Sequence, residues 1–372
     1  MTKYYIISGE ASGDLHGSML IKELKKMDTD AMFRCWGGDL MKKEGAEIVK
    51  HYKDLAFMGF TEVLMHLGTI IRNLNFCKRD LIQFKPDVLI LIDYPGFNLR
   101  IAEFAHKKGI RVFYYISPQI WAWKQKRVFT IKKNVERMFV ILPFEKKFYQ
   151  NYSVDVSYHG HPLLDAIDNF HLNQHFKNEY NLDSKPIVSL LPGSRKQEIK
   201  RMLPIMLDAM KEFSSCQIIV AGAKSIGAEF YHEIIKDRSV KLIFDNTYNI
   251  LMNSKAAAVT SGTATLETAL LNIPLVVCYK GGRLSYLIAK RLIKVKFISL
   301  VNLVLEKLSV KELIQDSLTT EALKNEMEKL LFDEKYRMKI FHDFENLKNI
   351  LGGPGASARV AKEIYSKLKD GI

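Results

Sequence analysis

Four cysteines stand in a chain of 372 residues: Cys35, Cys77, Cys216 and Cys278. They lie far apart and form no C-x-x-C pair, which excludes a disulfide framework or a thiolate metal site and leaves small buried hydrophobes. No apolar run reaches the roughly 20 residues that span a bilayer. No basic–apolar–small leader precedes the first strand pattern, so a cytoplasmic location is expected. Other absences remove whole chemistries. Gly222–Gly227 lacks the Gly-Lys-Ser/Thr ending of a P-loop, and no G-x-G-x-x-G follows the first strand, which argues against ATPases and dehydrogenases. The ten histidines include no H-E-x-x-H, and His159 and His161 have no further ligands nearby in sequence. Asp28-Thr-Asp30 has a D-x-D form but falls in a solvated turn after the first helix. No metal and no cofactor are expected. No RNP-type aromatic motif or long Arg-rich tract is present, so no nucleic-acid partner is expected.

What is present is a soluble composition, 48% apolar and 26% charged, in a chain long enough for two domains. The net charge of +14 is concentrated. Residues 100–150 hold twelve Lys/Arg against three Asp/Glu, and 279–296 hold Lys280, Arg283, Lys290, Arg291, Lys294 and Lys296 with no acid. Localised positive charge implies a polyanionic partner: nucleic acid, an anionic membrane face or phosphorylated substrates.

The pattern in the middle of the chain is strand, tight turn, helix. Ile187–Leu191 is a short apolar run, Pro192-Gly193 stops it, and Ser194, Arg195 and Lys196 lead into a helical pattern from Gln197. A helix start of this kind holds anions, Gly193 allows close backbone approach, and Arg195 adds a bidentate grip. The same unit opens the chain: strand Lys3–Ser8, small-residue loop Gly9–Asp14, helix from His16. Two similar α/β domains follow. Further strands are expected at Ala31–Trp36, Pro86–Asp93, Arg111–Ile116, Met138–Leu142, Gln217–Ala221, Lys241–Phe244, Ala256–Thr260 and Leu275–Tyr279. Asp93 ends a continuous apolar strand, where open α/β sheets bind ligands. Ser261-Gly-Thr263 begins another strand-to-helix turn, with Thr263 as expected N-cap. Leu55–Phe60 reads as core or as an exposed apolar lip. Asn169–Lys185 reads as a linker, and a last helix is expected at Ala356–Leu368.

Several of these loops together resemble the lipid-A-disaccharide synthase family. They are Ser8–Asp14, Met58-Gly-Phe60, Ile92–Asn98, Ser117–Lys124, Leu142-Pro-Phe-Glu145, Gly160-His-Pro162, Leu191–Arg195, Ser261-Gly-Thr263 with Glu267, and Ser299–Asn302. They follow the family's order over nearly the whole chain. Two positions depart from the family pattern: Gly96 stands where a second acid is frequent, and Val301 where proline is frequent.

The resemblance implies a GT-B α/β fold: two Rossmann-like doubly wound parallel-sheet domains facing a central cleft. Residues 1–170 would bind the acceptor and 186–352 the UDP-sugar. Residues 353–372 would pack back on the first domain. It implies an inverting, metal-free transfer from UDP-2,3-diacylglucosamine to 2,3-diacylglucosamine 1-phosphate (lipid X), giving a β(1→6) disaccharide and UDP. Inversion needs a base and stabilisation of the departing diphosphate. Asp93 is the expected base. Glu10 and Asp14 are further candidates, as acceptor contacts, an orienting acid or loop caps. Gly193, Ser194 and Arg195 are expected on the diphosphate with Ser261, Gly262 and Thr263, Glu267 on the ribose and Asn302 on the nucleotide. Ser12, Phe57, Met58, Phe60, Trp121, Trp123, Lys124 and Arg127 are expected at the acceptor or at the anionic inner-membrane surface. That surface would dock the protein peripherally on its cytoplasmic face. The oligomeric state stays open, a homodimer being one option. Competing readings are a UDP-GlcNAc 2-epimerase, a lipid-linked GlcNAc transferase, or a non-catalytic membrane-docking module.

Overall fold

Short apolar runs alternating with amphipathic stretches generate strand–helix repeats in both halves of the chain. The computed structural model describes residues 1–55, 67–282 and 295–369. The chain divides into two units, Met1–Asp165 with Gly353–Ile372, and Ala166–Gly352.

In the first unit the strands are β1 (Lys3–Ser8), β2 (Met32–Gly37), β3 (Glu47–His51), β4 (Val88–Ile92), β5 (Arg111–Tyr115), β6 (Arg137–Val140) and β7 (Val156–Tyr158). They form one parallel sheet in the order β3-β2-β1-β4-β5-β6-β7. Successive side chains on a strand point to opposite faces. Tyr5, Ile7, Leu89, Leu91, Val112 and Tyr114 therefore fill one apolar layer, and Tyr4, Ile6, Val88, Ile90, Phe113 and Tyr115 the other. The second layer also takes Leu20, Ile21 and Leu24 of the helix Ala11–Met27, and Val360, Ala361, Ile364 and Leu368 of the helix Ala356–Lys369. Asp165 ties down the start of that last helix. One carboxylate oxygen accepts from the Gly355 and Ala356 N–H groups, and the other accepts from Ser357 at 2.7 Å.

The second unit holds β8 (Ile187–Leu191), β9 (Gln217–Gly222), β10 (Lys241–Phe244), β11 (Ser254–Thr260), β12 (Leu275–Tyr279) and β13 (Glu312–Ile314). They too form a parallel sheet, β10-β9-β8-β11-β12-β13. In each sheet the strand order reverses at one place, between β1 and β4 and between β8 and β11. Ligands of such sheets bind outside the carboxyl ends of the strands at that switch point.

Three expectations are corrected. The strands β3, β7 and β13 were not anticipated; they are edge strands of three to five residues, too short or too wet to give an apolar run. The first helix begins at Ala11 rather than at His16. Gly9 and Gly13 make the stretch read as loop, but a Cβ on Gly13 would stand 2.7 Å from Ser8 Cβ, so the glycine lets this helix press against β1. Asn169–Lys185 is not a free linker: Phe176, 1% exposed, packs with Ile187, Ile219, Ile243 and Ile250. The expected sites at Phe57, Met58 and Phe60, and Arg283, Lys290, Arg291 and Lys294, lie outside the described residues. Among the described residues no helix is long and apolar enough to cross a membrane.

Candidate active site

The first switch point brings Glu10 and Asp93 together. Ser8 of β1 lies in register with Ile92 of β4, so the loops that follow leave the sheet side by side. Gly9 is needed there, because a Cβ would stand 2.4 Å from the Tyr94 ring. Asp93, Tyr94 and Ile116 all adopt left-handed backbone, with φ of 43°, 50° and 64°. Such conformations cost on the order of 1–3 kcal/mol each and persist only where surrounding bonds enforce them. Here Asn98, fully buried, donates Nδ2–H to the Ile92 and Asp93 carbonyls at 3.2 and 2.8 Å. Asp93 N–H donates to Ile116 O at 3.2 Å, and the Tyr114 hydroxyl donates to Asp93 O. Burial, and then the Glu10 charge, push the Asp93 carboxyl up to about 7, against the pull of the Tyr94 N–H. A carboxyl poised there is a base matched to neutral pH.

Asp14 sits apart from this pair in function. Its carboxylate is buried and accepts from the N–H groups of Gly38 (2.7 Å), Leu40 (3.1 Å) and Met41 (3.1 Å), capping the helix Asp39–Lys43. Glu10 is the N-cap residue of the helix Ala11–Met27, and Ser12, half-buried, lies in its first turn.

The loop after β5 carries the basic and aromatic residues. Trp121 is corrected from a surface position: it is 6% exposed, packs edge-on against Phe144 at 4.9 Å and donates its indole N–H to Glu145 at 3.1 Å. Glu145 also accepts from the Ile141 and Leu142 N–H groups, and burial raises its carboxyl to about 7. Nothing local in Leu142-Pro-Phe-Glu145 signals that its acid pins the Ser117–Trp123 loop. Trp123 is 43% exposed, with Lys124 Nζ 4.3 Å and Arg127 Cζ 6.0 Å from its ring.

The second switch point assembles the other cluster. Gly193 has φ of 109°, and a Cβ there would come 2.7 Å from Glu198 Oε2. Ser194 and Arg195 are exposed at the start of the helix Lys196–Ala209, and Arg195 pairs with Glu198 at 2.8 Å. Glu198 was missed, although Arg195-Lys-Gln-Glu198 places an acid where the first helical turn reaches back. Across the switch, Ser261 donates Oγ–H to Ile298 O at 3.1 Å, and Gly262 and Thr263 are exposed. Gly262, not Thr263, is the N-cap of the helix Thr263–Leu270, and the Thr265 hydroxyl reaches back to its carbonyl at 2.8 Å. Glu267 is half-buried and accepts from the Tyr248 hydroxyl at 3.1 Å; burial raises its carboxyl above the usual range.

Asn302 is corrected. Fully buried, its amide donates to Val310 O and Glu312 Oε1 and accepts from the Ser309 and Val310 N–H groups, all within 3.0 Å. No capacity is left for a nucleotide. Glu312, which no sequence signal marked, also accepts from the Ile298 and Ser299 N–H groups, so the pair shapes the loop beside Ser261. Among the described residues no three His, Cys, Asp or Glu side chains gather as a metal site.

A family model described as lipid-A-disaccharide synthetase matches residues 4–358. The lipid-A-disaccharide synthase of Syntrophus aciditrophicus is 42% identical, over 98% of this chain and 97% of its own length. That of Coxiella burnetii strain CbuG_Q212 is 38% identical, over 98% of both. Among solved structures, the UDP-GlcNAc 2-epimerase of Neisseria meningitidis bound to UDP-GlcNAc superposes with a TM-score of 0.70 at 13% identity, covering 98% of this chain and 100% of the other. The glycosyltransferase of kitacinnamycin gives 0.65 at 13%, covering 99% of both. At such identities the likeness is one of fold.

Proposed function

Because the chain belongs to the lipid-A-disaccharide synthase family, we propose that it transfers 2,3-diacylglucosamine from UDP to the 6-hydroxyl of 2,3-diacylglucosamine 1-phosphate. It is a glycosyltransferase of lipid A disaccharide synthesis with a GT-B fold. In the proposed reaction the acceptor oxygen attacks the anomeric carbon from the face opposite the diphosphate. The bond to the diphosphate breaks, its electron pair leaves with UDP, and the hydroxyl proton passes to Asp93. The first unit receives the acceptor and the second holds the UDP-sugar. Glu10 keeps the Asp93 carboxyl basic, and Asp14 builds the scaffold beneath. Arg195, Ser194 and the backbone at Gly193, Gly262 and Thr263 receive the diphosphate, Glu267 the ribose. Asn302 acts through the loop it holds.

The observation that carries this reading is the family match over residues 4–358; Asp93 supports it, standing at a switch point on backbone that is left-handed at Asp93, Tyr94 and Ile116. The test is UDP release from UDP-2,3-diacylglucosamine by the purified protein. Release should require the monosaccharide phosphate and yield one disaccharide per UDP. Equal release without acceptor, or none with both substrates, rejects the transferase; epimerised donor instead would identify a 2-epimerase.

The acyl chains require work at a membrane surface, and we assign peripheral docking on the cytoplasmic face of the inner membrane. Exposed Trp123 and Phe129 lie among Lys124, Lys126 and Arg127. A groove of about 800 Å³ along the helix Leu67–Phe84 is lined by Ile71, Ile82 and Phe104 together with Arg72, Lys78 and Arg79. Basic residues contribute about 1 kcal/mol each near anionic lipid and are screened by salt, whereas apolar insertion is not. Sedimentation with anionic vesicles should weaken at high salt without vanishing. Replacing Phe57, Met58 and Phe60 by Ser should abolish the salt-resistant fraction. No sedimentation at low salt would end the docking assignment.

A further inference from the structure

Glu267 is the acid of the second cluster, and its own helix does little to aim it. The positions three and four residues away are Thr263, Ala264, Leu270 and Leu271, none of them a cation. A glutamate with three rotatable bonds samples many rotamers unless another element holds it. Here the hold comes from the helix Thr247–Met252, where the Tyr248 hydroxyl donates to Glu267 Oε1 at 3.1 Å. Among the described residues no donor meets Glu267 Oε2. We infer that Tyr248 is a positioning residue for nucleotide recognition: it fixes the Glu267 carboxylate in the direction that meets the ribose hydroxyls, an inference that rests on the assignment of Glu267 to the ribose above.

Three observations support the role. The first is the sense of the bond. A carboxylate only accepts, so the shared hydrogen belongs to the tyrosine. Tyr248 takes one of the roughly four lone-pair positions of the carboxylate and leaves room for two ribose O–H donors. The same bond opposes the effect of burial and favours the ionised form that those donors need.

The second observation is that Tyr248 is itself held. The Phe170 ring meets it edge-on, with centroids 5.2 Å apart and planes at 74°. The phenol is thus gripped on its ring as well as at its hydroxyl. The third is the source of that grip. Phe170 belongs to the connecting stretch at the start of the second unit, and the same stretch is laced to the helix of Tyr248. Asn173 N–H donates to Asn249 Oδ1 at 2.9 Å, and Asn246 Nδ2 donates to the Tyr180 hydroxyl at 2.9 Å. Asn249 Nδ2 donates in turn to Asn246 Oδ1 at 3.0 Å. A stretch that carries no ligand residue of its own therefore sets the aim of Glu267 through one tyrosine.

The experiment measures by calorimetry the affinities of UDP and of 2′,3′-dideoxy-UDP, which lacks both ribose hydroxyls. The proteins are the wild type, Tyr248→Phe, Glu267→Ala and the double variant. The wild type should bind UDP at least about tenfold more tightly than the dideoxynucleotide, the worth of a hydrogen bond to a charged group. Glu267→Ala should remove most of that preference. Tyr248→Phe keeps the ring against Phe170 and should lower the preference by roughly 3–10-fold, with the dideoxynucleotide bound as in the wild type. The double variant should match Glu267→Ala, because the hydroxyl acts through the carboxylate. Equal weakening toward both nucleotides in Tyr248→Phe would make Tyr248 structural and overturn the role. A double variant weaker toward UDP than Glu267→Ala would put Tyr248 on the nucleotide itself and also overturn it. A preference lost in Glu267→Ala but intact in Tyr248→Phe rejects the positioning role alone. No preference in the wild type, or one that survives Glu267→Ala, rejects Glu267 as the ribose ligand and this inference with it.

Discussion

Replacing Asp93 by Asn lowers kcat at least about a hundredfold, the usual worth of a positioned general base. Donor affinity changes little, because Asn keeps the shape and the loop is held by Asn98 and Tyr114 through backbone carbonyls. The pH profile supplies the sign. In the proposed reaction Asp93 acts as its carboxylate, so wild-type kcat/KM should rise with pH through about 7, where burial and Glu10 have raised the group, and that limb should disappear in the variant. Stability moves the other way. A carboxyl raised in the folded state favours the fold fully only below its ordinary value near 3.8. That contribution is lost as pH climbs through about 7. Asp93→Asn therefore melts higher than wild type at pH 8, and the difference closes toward pH 4. Loss of UDP binding instead of turnover would reassign Asp93 to the donor and move the search for the base to Glu10.

Arg195→Ala lowers turnover by about a hundred- to a thousandfold while the melting temperature stays within a degree or two. Arg195 is half exposed and its pair with Glu198 is a surface i,i+3 contact, worth at most about 1 kcal/mol. Charge developing on a departing diphosphate is worth far more when a donor is already aimed at it. Arg195→Lys should recover little, because an ammonium cannot reproduce the two parallel bonds of a guanidinium. Near-wild-type turnover with normal UDP affinity in the alanine variant would remove Arg195 from the site.

The legible parts of the chain were those written as continuous apolar runs. Ile187–Leu191 and Leu275–Tyr279 are strands over the ranges their composition marks, because central parallel strands are buried on both faces. The turns that end such strands were equally visible, which is why Asp93 and Arg195 could be singled out before any geometry. The rest depends on contacts distant in sequence. Nothing local shows that the Asp14 carboxylate closes on Gly38–Met41, that Trp121 turns inward to Glu145, or that Asn302 is saturated by Ser309, Val310 and Glu312. A motif names its residues but not the direction their side chains take, and in each case a buried hydrogen bond decided it.

The Asp165 carboxylate bears on how the chain is made. It lies at the point where the chain leaves the first sheet, and it grips the N–H groups of residues 355–357, where the chain returns. During synthesis the faces of Tyr4, Ile6, Leu20 and Leu24 must wait for Val360, Ala361, Ile364 and Leu368, which emerge only after the whole of Ala166–Gly352. At roughly 5–20 residues per second that wait is about 10–40 s. The contiguous second unit can therefore close on the ribosome while the older, N-terminal sheet still has an open side. This leaves the nascent protein with its first-made half as the last to be sealed, and dependent meanwhile on whatever shields apolar surface in the cell.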